Sequence, residues 1–99
     1  MPFEIEFTKA AAEQVRSYKT FEQQVILDAI EEQLANEPAK ETRNRKPLRE
    51  NKLSDWELRV QRFRVFYDVL DDDQRVVKIK AVGHKEHNVL FVAGRKVEL

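Results

Sequence analysis

The sequence predicts an α+β fold: an N-terminal strand and two helices packed on one face of a mostly antiparallel four-stranded sheet, closed by a short C-terminal hairpin or strand. Three observations predict it. Apolar residues alternate with polar ones over 3–7, they recur at three-and-four spacing as far as Leu34, and from Trp56 onward the period returns to two. With 99 residues the chain has room for one core, so 1–99 is read as a single domain.

Phe3, Ile5 and Phe7 face one way and Glu4, Glu6 and Thr8 the other, which predicts a strand over 3–7. Thr8 is a helix cap, because its hydroxyl accepts a bond from a free amide of the first turn, and Ala10, Ala11, Ala12, Val15 and Tyr18 continue a helix over 9–18. Thr20 is the second cap candidate, followed by the stripe Phe21, Val25, Ile26, Ala29, Ile30 and Leu34 that Pro38 stops. Residues 38–51 are polar, basic and broken again by Pro47, and are read as an exposed connection. Strands follow over 56–60 and 63–69; an acidic turn covers Asp71, Asp72 and Asp73, and Val77, Ile79 and Ala81 form the inner row of a strand ending at Gly83. Residues 90–92 and 96–99 flank Ala93-Gly94, a candidate tight hairpin turn.

The absence of cysteine excludes disulfides, thiol nucleophiles and cysteine-bound metals, and points to a reducing, cytoplasmic setting. No apolar run approaches the roughly 20 residues of a bilayer span, and the opening residues lack the pattern of a signal peptide, so a soluble chain with no membrane partner is expected. The 18 basic and 18 acidic side chains cancel but are unevenly placed: residues 1–39 carry a balance of −5 and residues 40–99 a balance of +5. A basic half implies an anionic partner. Strand parity sharpens this. If Phe63, Val65 and Tyr67 meet the helices, Arg62, Arg64, Lys78 and Lys80 point to the opposite face, which is then a basic platform open to water. The same parity puts Trp56 and Tyr67 in the core and leaves Phe66 beside Arg64 as a candidate for stacking on a base.

The run Trp56-Glu57-Leu58-Arg59-Val60, a turn at Gln61-Arg62, then Phe63-Arg64-Val65-Phe66-Tyr67, and later Val82-Gly83-His84-Lys85-Glu86-His87, resembles the RelE/ParE toxin superfamily, RelE-like branch. The opening strand, the two helices and the basic Pro47-Leu48-Arg49 extend the likeness over nearly the whole chain, with Gln61-Arg62 departing from the family's glycine-containing turn. The resemblance implies a toxin of a type II toxin-antitoxin pair, restrained by a cognate antitoxin and reaching DNA only through it. In the RelE-like branch such toxins cut messenger RNA on the ribosome; in the ParE-like branch they poison DNA gyrase. A further alternative is a catalytically decayed module that only binds its antitoxin.

RNA cleavage without a metal needs a base for the ribose 2′-hydroxyl, cations for the transition-state charge and an acid for the leaving 5′-oxygen. The resemblance places Arg64 as the principal cation, with Arg59 in support and Lys85 where relatives often have a catalytic arginine. The alternative for Arg64 is an acidic partner or Asp68. His84 and His87 are the side chains whose ordinary titration lies near neutrality and are the candidates for proton transfer. Glu57 is a candidate base, with a salt bridge to Arg59 or Arg62 as the alternative. Lys46, Arg49, Lys52, Arg62, Lys78 and Lys80 are candidate phosphate contacts. Phe91 stands where the branch often has a tyrosine; it can stack on a base but has no hydroxyl. The pair His84 and His87 lacks a third metal ligand, so no metal or other cofactor is expected.

Overall fold

The computed structural model describes residues 2–99. Its elements run β1 (Glu4–Phe7), α1 (Lys9–Arg16), α2 (Thr20–Leu34), β2 (Arg45–Pro47), β3 (Trp56–Val60), β4 (Phe63–Leu70), β5 (Val76–Glu86), β6 (Val89–Val92) and β7 (Arg95–Val97). One seven-stranded sheet follows the order β2-β3-β4-β5-β6-β7, antiparallel throughout, with β1 added parallel to β5. The expected α+β class holds, with more strands than the four expected.

Two local readings change. Residues 45–47 form β2 rather than a structureless connection, because Arg45, Lys46 and Pro47 pair with Leu58, Glu57 and Trp56. Thr8 does cap α1, its hydroxyl accepting from the Ala11 amide at 3.1 Å. Thr20, by contrast, is already helical: Lys19 is the N-cap of α2, and its amide donates to Glu22 Oε1 at 3.1 Å.

Both helices lie on one face. Ala11, Val15, Ile26, Ile30 and Leu34 pack against Leu58, Val60, Phe63, Val65, Tyr67, Val77, Ile79 and Val82. Trp56 and Tyr67 join this core, stacked at 6.1 Å, as strand parity requires. Tyr67 donates from its hydroxyl to the carbonyl of buried Pro38 at 2.8 Å, which anchors the chain leaving α2 to the middle of the sheet.

The opposite face is not the bare basic platform that parity implies. A second apolar cluster of Phe66, Ala81, Leu90 and Val92 covers its middle, packed under Leu48, Leu53 and Val97. Phe66 is fully buried there, so its ring has no face to offer a nucleobase.

One irregularity in β5 sets which side chains share a face. Phe66 pairs with Ala81 and Tyr67 with Ile79, so Lys80 is an extra residue in the ladder. A bulge of this kind reverses the alternation beyond it. Val77 and Ile79 face the helices before the bulge; after it Val82 does, while Ala81 turns to the other side, against its expected inward place.

Candidate functional site

β3 and β4 pair so that Arg59 lies opposite Arg64, and Glu57 opposite Phe66; on the other flank of β3, Lys46 lies opposite Glu57. Directly opposed residues in an antiparallel ladder share a face. Because Phe63, Val65 and Tyr67 face the helices, Arg64 and these partners face away. The bulge in β5 brings Lys85 to the same side, where it lines a cavity of about 290 Å³ with Glu57, Asn88 and Leu90. The charged set is therefore Lys46, Glu57, Arg59, Arg64 and Lys85, with Glu98 on the wall of the same cavity. An adjoining cavity of about 370 Å³, sharing residues 97–99 as a wall, carries the face on to Lys52.

Within this set the charges are unequally compensated. Glu57 is 6% exposed and accepts from Arg59 Nε at 3.2 Å, the ion pair that competed with its role as a base. Arg64 makes no such bond. Its Nη1 donates to the carbonyls of Gln61 and Phe63, each at 2.8 Å, and its Nε is the one buried side-chain polar atom without a partner among the described residues. Burial pulls its pKa below the ordinary arginine value, with Glu57 opposing and Arg59 adding to that pull. A guanidinium held by neutral carbonyls keeps its net charge, because carbonyl dipoles orient the group without neutralising it.

The remaining sequence candidates lie elsewhere. Asp68, the alternative partner for Arg64, pairs instead with Lys80 at 3.6 Å; Lys80 and Lys78 sit at that end of the face, beyond the Phe66 cluster. Arg62, at the β3–β4 turn, reaches to the helix side: it pairs with Glu22 at 2.7 Å and lies 4.6 Å over the Phe63 ring. Arg49 and Lys52 are exposed on the segment that covers Phe66. His84, expected near Arg64, is on the helix side, where Tyr18 hydroxyl meets its Nδ1 at 2.7 Å and Glu86 its Nε2 at 3.4 Å. Phe91 is opposite it on β6 and stacks on its ring at 5.7 Å, so Phe91 also leaves the Arg64 face. His87 is exposed in the β5–β6 turn, next to Asn88 of the cavity rim.

Sequence reasoning missed Tyr18 as the partner of His84 and Asn88 as a rim residue. Neither carries a motif; a bulge at Lys80 was the needed clue, and one lysine among alternating residues does not signal it. Among the described residues no group of three histidine, aspartate or glutamate side chains converges as a metal site would require.

No curated protein matches the sequence. In structure the chain is similar to one from the crystal structure of the toxin-antitoxin complex RelBE2 from Mycobacterium tuberculosis: the TM-score is 0.72 at 25% identity, over 86% of this chain and 100% of that one. The model of the ParE toxin family of type II toxin-antitoxin systems, parDE, matches residues 5–89, a span that includes both helices, β2 to β5 and every member of the charged set. The chain thus belongs to that toxin family, within the RelE/ParE superfamily.

Proposed function

We propose that this toxin is a ribosome-dependent messenger-RNA endoribonuclease that inhibits translation in the cytoplasm and is restrained by a cognate antitoxin. One observation carries the reading: two arginines and two lysines share a face with Glu57, and the most buried arginine of the set is bonded to backbone carbonyls and to no carboxylate. That arrangement suits a phosphate passing through a more highly charged transition state.

In this reading Glu57 takes the ribose 2′-hydroxyl proton, and the freed oxygen attacks phosphorus. The bond to the 5′-oxygen breaks as that oxygen gains a proton, leaving a cyclic phosphate and a 5′-hydroxyl. Arg64 and Arg59 bind the non-bridging oxygens, Arg64 through Nη2 because its Nη1 is held by the two carbonyls, and Lys85 adds a point charge. His87, exposed at the turn beside Asn88, supplies the leaving-group proton. Lys46, Arg49 and Lys52 hold the flanking phosphates, and Lys78 and Lys80 mark a second, more distant patch. His84, Phe66, Phe91 and Arg62 take no part in this chemistry.

Induction followed by primer extension on translated messages tests the reading. Cuts within open reading frames are expected, and Arg64→Ala should lower their rate by about 10²–10³-fold. Cleavage unchanged in that variant removes Arg64 from the site. A second reading, inhibition of DNA gyrase by protein contact, is favoured by the ParE description of the matching family. Loss of gyrase supercoiling with intact messages selects it.

A further inference from the structure

Register places one more cation on the face of Arg64. In successive ladders Arg59 lies opposite Arg64, Arg64 opposite Gly83, Gly83 opposite Val92 and Val92 opposite Arg95. Opposed residues share a face, so these five form one row that crosses the sheet from β3 to β7, at right angles to the strands. Two valines confirm the side. Val92, inside the row, and Val97, two residues beyond Arg95, both pack with Phe66 on this face. Arg95 is exposed, and it lies outside the family match over residues 5–89.

The rows on either side of this one carry their charges differently. One runs from Lys46 through Glu57 and Phe66 to Ala81, so its lysine is followed at once by a carboxylate. The other runs from Lys85 through Leu90 to Val97, with Glu98 on the wall of its cavity and no second cation. Of the three, the middle row has cations at both ends and no carboxylate between them. Gly83 has no side chain, and Val92 is small, apolar and buried. Lys96, the next residue, lies opposite Phe91 on the helix side and pairs with Glu98 at 3.9 Å, whereas Arg95 has no carboxylate partner among the described residues. From Arg64 to Arg95 is three strand spacings, about 14 Å. A compact anion cannot touch both ends. An extended polyanion can, and an uncharged middle suits one whose charges are separated by neutral sugars.

We propose that the RNA strand of the cleavage reading, on which this inference rests, crosses the sheet along this row, with the phosphate to be cut at Arg59 and Arg64 and a phosphate further along the strand held by Arg95. Arg95 is then a binding residue that sets the direction of the strand and touches none of the reacting atoms. Its planar donor fork suits a phosphate, and no ion pair has to break for it to bind one.

The probes are a dodecanucleotide and a dinucleotide of single-stranded RNA, 2′-O-methylated throughout so that neither can be cut, with affinity followed over a salt series. Arg95→Ala should weaken the dodecanucleotide about three- to tenfold and reduce the steepness of log K against log salt by about 0.7, the value for one phosphate contact on a single strand. The dinucleotide, too short to reach from Arg64 to Arg95, should bind the wild type and the variant alike. Arg95→Lys keeps the charge and should restore most of the lost affinity, while Lys96→Ala, one residue away on the other face, should change nothing. Equal affinity and slope in Arg95→Ala, a loss shared by the dinucleotide or by Lys96→Ala, or an Arg95 dependence shown by a polyglutamate peptide and not by RNA would overturn the proposal. Messages left intact while the uncuttable RNA binds through Arg95 would count against cleavage alone. Cut messages with binding indifferent to Arg95 would count against the row alone, and RNA that the wild type does not bind would overturn both.

Discussion

Tyr67 takes its phenol into the core, and burial pushes its pKa far above the ordinary tyrosine value. The hydroxyl therefore acts as a neutral donor to Pro38, and its worth lies in satisfying a carbonyl that water does not reach. Tyr67→Phe keeps the ring's packing and orphans that carbonyl, so it should destabilise the fold by about 1–2 kcal/mol. Urea unfolding would register this as a lower midpoint at an unchanged slope. Arg64 illustrates the reverse strategy. Its buried Nε has no partner among the described residues, an unsatisfied polar group of a kind that is rare in native folds.

At the scale of elements, the turns decide more than the strands. Gln61 opens the β3–β4 turn with φ of 55°, a left-handed conformation unfavourable to a residue with a side chain. Glycine relieves that strain at a smaller entropic cost, so Gln61→Gly should raise stability by about 0.5 kcal/mol in the same unfolding assay. The Ala93-Gly94 hairpin turn expected from the sequence is present, with φ of 54° and 76°, and the unexpected His87-Asn88 turn has 49° and 66°. Positive values at both central residues are what a two-residue hairpin loop needs to match the sheet's twist. Gly83 has another reason to be glycine. A Cβ there would lie 2.3 Å from the Phe91 carbonyl oxygen and 2.8 Å from Val92 Cγ2, so Gly83→Ala should force β5 and β6 apart. A loss of about 2–3 kcal/mol, read as a lower melting temperature, is expected.

Over the whole molecule, the ion pair between Glu22 and Arg62 joins the helical layer to the β3–β4 turn, whose Gln61 carbonyl also holds Arg64. The Arg62 hydrogen bond, followed by that from the Lys19 amide, holds the Glu22 carboxyl below the ordinary carboxylate range. A carboxyl depressed on folding stabilises the fold above its unfolded pKa, and that contribution fades as pH falls through the folded value. Stability should thus drop on the acid side of pH 4–5, and Glu22→Gln should flatten that limb without altering the neutral-to-alkaline profile. Melting temperatures across a pH series check it; an unaltered acid limb in the variant would dismiss the pair as a contributor. The molecule also divides by charge, since the acidic balance belongs to the segment containing β1 and both helices and the basic one to the segment containing β2 to β7.

How much of this was legible beforehand follows from the range of each interaction. Periodicity is local, so the α+β class, both helices, the inward faces of Trp56 and Tyr67 and the Thr8 cap were all readable from neighbours a few residues apart. The pairing of Arg59 with Arg64 across a two-residue turn was nearly as local. β2 was not, because a three-residue edge strand with a proline has no pattern of its own and exists only by pairing with β3. Nor was the identity of the residues sharing Arg64's face. Unbroken alternation through β5 would send His84 to that side and Lys85 to the core; one extra residue at Lys80 exchanges them, delivering a lysine to the charged face and a histidine to Tyr18. The chain alone therefore determined its class, most of its helix-side core and its stock of cations. Which of them meet was settled by packing between β4 and β5, because a bulge is a compromise between two strands and is written in neither one.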